Sequence, residues 1–352
     1  CTTNLPDPTI ADGSTVFMAK TYSGTGSTNA ITGLNFSPDF LWLKRRNGSN
    51  AHALFDQIRG VTKVLESSTN GAEKTNDPGI ASFDANGFTV NGTYNQTNAS
   101  SQTYIAWAWD AGSSTVTNND GSIASSVRAN PSSGISICSY TGTGSTATFG
   151  HGLNAAPELV IIKSRSDAQN WAVYSKYTSG AATPAEEYAF LNSDSAFSSS
   201  GGGFFWSNTS PTNSAVTVGS DNAVNGSSKT YIALCFAPVE SYSSFGVYPG
   251  NGSTDGTFVY TGHRSRFILI KRSDGTANWQ IYDTARNTFN AMDSRLKANS
   301  SDAEVSNSGY NLDILSNGFR PTGGNNDNYN ASGASYIYAS FAEHPFKTAR
   351  AR

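Results

Sequence analysis

One apolar pattern recurs three times along the chain. Phe40-Leu41-Trp42-Leu43 ends in Lys44, Leu159-Val160-Ile161-Ile162 ends in Lys163, and Phe267-Ile268-Leu269-Ile270 ends in Lys271. A ring follows each lysine after eight residues (His52, Trp171, Trp279) and another after eleven (Phe55, Tyr174, Tyr282). Matched intervals with matched residue types mark an internal repeat. The runs alternate incompletely, as expected of strands covered on both faces or lying mid-sheet. Trp42, Trp107 and Trp109 are expected in a core.

Further marks line up around these runs. An opening strand ends in tyrosine at Tyr22, Tyr140 and, in the third copy, Tyr260. A Gly-Phe pair recurs at Phe88, Phe204 and Phe319. A closing strand carries Tyr104, Tyr231 and Tyr336, each followed five residues later by Trp109, Phe236 and Phe341. With Tyr260 as the opening tyrosine, the third copy has lost about eleven residues before its apolar run. Hairpin signals sit at Arg45-Arg46-Asn47-Gly48 and at Asn86-Gly87. Each copy holds some six to eight short strands in about 100 residues, the arithmetic of an antiparallel sandwich.

The expected fold class is therefore all-β, with three tandem antiparallel β-sandwich (jelly-roll-like) modules. Residues 1–14 read as a linker or arm, 15–112 as the first module, and 113–133 as a polar linker. Residues 134–239 read as the second module, 240–346 as the third and 347–352 as a basic tail. Short helices are expected at Thr284 to Lys297 and at Gln57 to Ser67.

Composition supports this and narrows function. Charged residues are only 14% of the chain, so polarity comes from Gly, Ser, Thr and Asn, which suit turns rather than long surface helices. The net charge of −3 offers no basic field for phosphates, so nucleic acid is not an expected partner. No apolar run approaches a membrane span, and a secretory signal is not expected within these residues. A start at Cys1 rather than Met suggests an upstream or processed part, and acylation of Cys1 would mark a cell-surface lipoprotein. Cys138 and Cys235 lie in the first and last strands of the second module, which can be neighbours, so a bridge is geometrically possible; buried free thiols are the expectation.

Candidate chemistry is sparse. His52 aligns with Trp171 and Trp279, so that position wants a flat ring, not a proton shuttle; a Ser-His-Asp site at His151, His263 or His344 would need a placed nucleophile, and abundant serine makes any such pairing uninformative. Gly24-Thr25-Gly26-Ser27 and Gly142-Thr143-Gly144-Ser145 lack the lysine and helix start of a phosphate loop. The acid pairs Glu186-Glu187 and Asp302-Glu304 lie in polar loops and read as solvated charge rather than glycosidase carboxylates. Asn325-Asn326-Asp327-Asn328 lacks the spacing of a calcium loop and reads as a turn. Lys44, Lys163 and Lys271 are expected to snorkel or form fixed ion pairs, Lys44 with Asp56 and Lys271 with Asp283. No catalytic residue, metal or cofactor is expected.

The segments Pro38 to Lys44, His52 to Gly60, Gly87-Phe88 and Thr103 to Trp109 resemble repeats of unknown function in virion proteins of marine and other tailed bacteriophages. Gly150-His151-Gly152-Leu153 with Pro157 and Lys163 resembles a sister version. Ser335 to Phe346 is similar to the usual ending of such chains. The resemblance covers nearly the whole chain and implies a non-enzymatic structural role on the virion. A tail fibre or receptor-binding appendage is expected first, a capsid decoration or head-fibre protein second, and a polysaccharide-degrading tailspike third. Loop tips rich in Tyr, Asn and Gly suit host-surface glycan, or a host protein, and other virion proteins are further expected partners. Fibres lead to the expectation of a homo-oligomer, with a trimer favoured.

Overall fold

The computed structural model describes residues 7–75, 79–178, 183–199 and 201–347. The chain is all-β and its sheets are antiparallel. Three large sheets share one strand order. In the first, Phe17–Ser23 pairs with Thr103–Trp109, which pairs with the apolar strand Phe40–Arg45, then Ala53–Asp56. In the second the order is Ile135–Thr141, Thr230–Phe236, Leu159–Ser164, Ala172–Ser175. In the third it is Ser243–Pro249, Ser335–Pro345, His263–Arg272, Gln280–Asp283. Each large sheet and its companion small sheet are called a unit below. The small sheets are built on Gly87–Val90, Ala215–Val218 and Gly318–Pro321.

The unbroken apolar runs now have a physical reason. Side chains along a strand point alternately to opposite faces. Leu41 and Leu43 face the first unit's small sheet, where they pack with Ile31, Phe88 and Val90. Val160 and Ile162 do the same in the second unit with Phe149, Val216 and Val218. Ile268 and Ile270 do so in the third with Val259 and Phe319. The other face carries Phe40 and Trp42, Leu159 and Ile161, Phe267 and Leu269. All six belong to one cluster shared by the three units. The closing strands split the same way: Ile105, Trp107, Trp109, Ile232, Leu234, Phe236, Ile337, Ala339 and Phe341 all enter the shared cluster. A void of only about 20 Å³ remains where Phe40, Leu159 and Phe267 meet. The expectation that each apolar segment builds only its own two-layer core is thus corrected. Every unit has a core of its own, and the largest core belongs to all three.

Several local expectations change. Residues 113–133 are no spacer: Val116–Asn118 and Ser125–Asn130 extend the second large sheet at its edge. In the arm, Ile10 joins the shared core, while residues 1–6 lie outside the described residues, as do 348–352 of the basic tail. Neither expected helix forms. The Asp56 carboxylate accepts the Arg59 N–H at 2.9 Å, and the Asp283 carboxylate accepts those of Ala285 and Arg286 at 3.1 and 2.9 Å. These side-chain turns take the backbone donors that a helix would need.

Two expected core residues are misassigned. The opening tyrosine of the third unit is Tyr248, which sits opposite Tyr336 as Tyr22 does Tyr104 and Tyr140 does Tyr231. Tyr248 lies 23 residues before Lys271, the same interval as Tyr140 to Lys163, so the third unit has lost nothing there. Tyr260 instead belongs to the small sheet and is 62% exposed. Likewise the partner of Phe88 in the second unit is Val216, set opposite Phe149 as Phe88 is opposite Ile31. Phe204 lies in the five-residue helix Gly202–Trp206 and is 63% exposed. The Gly-Phe match there was one of residue type, not of place. Cys138 and Cys235 are buried and free.

Candidate functional site

The units meet along three seams, and the inner part of each seam is built alike. The ring eight residues after each lysine crosses into a neighbouring unit. His52 Nε2 lies 3.0 Å from the Lys297 carbonyl, Trp171 Nε1 donates to the Glu66 carbonyl at 2.9 Å, and Trp279 Nε1 donates to the Phe190 carbonyl at 3.0 Å. The acceptors are themselves equivalent, each following the residue that pairs with Leu54, Val173 or Ile281. Unit one therefore reaches unit three, three reaches two, and two reaches one. Main-chain bonds repeat the cycle: Glu304 N–H donates to the Arg46 carbonyl, Glu73 to Arg165 and Phe197 to Ser273, at 2.7, 2.9 and 2.9 Å. The ring of contacts closes within one chain.

His52 fits this role as a neutral ring. Its Nδ1 accepts from Trp42 Nε1 at 2.7 Å, so Nε2 carries the proton and donates. Burial, with Lys44 nearby, holds its pKa well below the usual histidine range. His263 is also buried and near Ser340 at 2.9 Å, its pKa pushed down to about 3 by burial. His151 Nε2 meets the Thr212 carbonyl at 3.2 Å.

Charge is gathered at two seams. Glu304 binds Arg46 and the fully buried Arg286, while Glu73 binds Arg59 and Arg165. Asp56 and Asp283 pair with Arg59 and Arg286, not with the lysines. Lys44, Lys163 and Lys271 are wholly buried and donate to backbone carbonyls: Arg45 and Gly48, Ser164 and Asp167, and Asp194 of the second unit. Burial pulls their pKa values down to about 8, 8 and 7. The acid pair Asp302-Glu304 is thus divided between Lys297 and two arginines. Asp327 in the Asn325 to Asn328 turn binds Arg272.

At the far end of the same strands, a second triplicate element escaped the sequence reading. Asn98, Asn225 and Asn330 are fully buried and tie two neighbouring turns through their amides. Beside them Tyr22, Tyr140 and Tyr248 stack on Tyr104, Tyr231 and Tyr336 with centroids 5.1, 5.1 and 5.3 Å apart. The chain then turns at Gly24, Gly142 and Gly250, where any Cβ would lie within 2.4 Å of a carbonyl oxygen across the turn. The signal was present: each asparagine stands six residues before its closing tyrosine.

The outer part of each seam opens as a cleft beside the residue that precedes the apolar strand. Here the three units differ. Asp39 lines a cleft of about 480 Å³ with Asp110, Arg128 and Asn130. Burial pushes its carboxyl up to about 7, against the pull of the Arg128 guanidinium and the Ala111 N–H. Glu158 lines one of about 320 Å³ with Tyr177, Glu240, Ser243 and Tyr260. In the third seam Arg266 takes the equivalent place and reaches across to Glu343 and to the Ala19 carbonyl of unit one, leaving about 140 Å³. Among the described residues no group of three or more His, Cys, Asp or Glu is placed to hold a metal, and no helix is long and apolar enough to cross a membrane.

A family model for a domain of unknown function, DUF7483, matches residues 12–345. The chain belongs to the DUF7483 family. That match runs through all three large sheets, so the DUF7483 domain is the closed three-unit body and not one unit of it. No curated protein matches this DUF7483 chain.

Proposed function

We propose that the protein is a non-enzymatic structural component of a tailed-phage virion, within a tail fibre or other receptor-binding appendage, and that it contacts glycan on the host surface. The observation that carries this reading is the contrast within the seams. Their inner parts repeat one set of cyclic contacts, which suits a stiff body. Their rims present differently lined clefts, which suits recognition. The likeness of the apolar strand, ring and closing-strand segments to phage virion repeats supports the assignment to a particle. A homotrimer of such chains would use outer faces, because the inner faces are already covered within each chain.

The test is antibody labelling of purified particles viewed by electron microscopy. Gold on the tail or its fibres is the expected result. Gold confined to the capsid would move the protein to a decoration or head-fibre role, and unlabelled particles would overturn the virion assignment.

A further inference from the structure

We infer that the cleft between units two and three is a binding site for an uncharged sugar ring, with Tyr260 as its stacking face and Glu158 and Glu240 as acceptors for sugar hydroxyls. This rests on the glycan-contacting reading above and deepens it to one site and one chemical class.

Tyr260 is the first reason. It lies on the short strand Val259–Tyr260, paired opposite Gly318, so no side chain stands across from its ring. The strand position is held, because the Tyr338 hydroxyl meets the Tyr260 carbonyl at 3.4 Å and Ser244 at 3.1 Å. A ring that is 62% exposed on a fixed backbone is a flat apolar surface with a polar tip. Such rings contribute contact area with little conformational entropy to lose.

The carboxylates are the second reason. Glu158 is nearly buried at the cleft wall, accepting from Lys176 at 2.7 Å and from the Tyr177 hydroxyl at 3.2 Å. An ionised carboxylate has about four acceptor sites and no donor, so two sites remain for hydroxyl groups. Burial and the neighbouring Glu158 hold the Tyr177 phenol at about 12, so it stays a donor. Glu240, exposed at the rim, adds a second acceptor. Two carboxylates against one lysine repel an acidic sugar or a phosphate and admit a neutral one. The volume of about 320 Å³ is at the small end of the roughly 300–1,000 Å³ of small-molecule sites, which suits one or two rings.

The other two clefts lack one of these parts. Phe36 in the first is buried, so that cleft offers no exposed ring. The third is crossed by Arg266.

The experiment titrates the full chain with glucose, galactose, mannose and N-acetylglucosamine, and with glucuronate and galacturonate, by saturation-transfer NMR and calorimetry. At least one neutral sugar is expected to bind in the millimolar range, and both acids at least tenfold more weakly. Tyr260→Ala is expected to weaken binding roughly tenfold or more, and Glu158→Gln to weaken it as well. Phe289→Ser, which removes an exposed ring outside the cleft, should leave binding unchanged. Unchanged melting of Tyr260→Ala shows that the fold is kept. Failure of every neutral sugar to bind, equal binding by Tyr260→Ala, or equal binding of the acids would overturn the site. Labelled particles with no sugar binding remove this site and leave the virion reading standing; sugar binding with unlabelled particles does the reverse.

Discussion

The inner and outer parts of the three seams follow different rules. Inside, three rings reach three equivalent carbonyls and three main-chain N–H groups reach three more, with distances that agree within 0.1 and 0.2 Å. Outside, equivalent positions carry Asp39, Glu158 and Arg266, and the clefts beside them range from about 480 to 140 Å³. A buried donor left without its acceptor costs about 1–3 kcal/mol, which holds the inner positions to one solution. At the rim each charge has its own local partner, Arg128 for Asp39, Lys176 for Glu158 and Glu343 for Arg266, so no single solution is imposed. Cohesion thus falls to the repeated interior, and the proposed recognition to the rims, where the three units are unlike.

The comparison can be broken from the inside first. Trp109 packs against Phe17, Phe40, Phe236, Phe267 and Phe341, so it touches rings of all three units. Trp109→Ala should cost about 3–5 kcal/mol in denaturant titration. Hydrogen exchange should then rise in all three large sheets, whereas Ile314→Ala, in the third unit's own core, should loosen mainly that unit. Glu304→Gln should cost about 3 kcal/mol, because it leaves Arg286 buried and Arg46 part-buried with one fewer countercharge.

The buried lysines give a pH signature. Their folded pKa values of about 8, 8 and 7 lie below the unfolded 10.5, so the unfolded chain binds more protons between these limits. Stability should therefore rise with pH from about 7 to about 10, and that gain should be lost as pH falls back through the folded values. Lys271→Met should flatten that slope in denaturant titrations at stepped pH. A smaller effect is expected from Trp279→Phe, which keeps the ring but removes the bond to Phe190: about 1 kcal/mol by the same titration. At the rim, Tyr260→Ala should stay within about 0.5 kcal/mol of the parent, since it touches no core.

The sequence made part of this visible. Runs such as Phe40-Leu41-Trp42-Leu43 pointed to strands covered on both faces or lying mid-sheet, and the ring interval marked the positions that cross the seams. What covers the second face was not legible, because a pattern of apolar positions does not say whether its cover is a small sheet or another unit. The errors share one cause. Gly203-Phe204 and Tyr260 matched by residue type, and only strand register shows that Val216 and Tyr248 hold those places. The rim clefts were hidden for a related reason: the place of the carboxylates Asp39 and Glu158 is taken in the third unit by Arg266, opposite in charge.

Calorimetry of the intact chain tests most directly whether the shared core makes one cooperative body. A single heat-absorption peak, with van't Hoff and calorimetric enthalpies equal, is the expected result. Two or three separable transitions, each assignable by exchange to one unit, would contradict it.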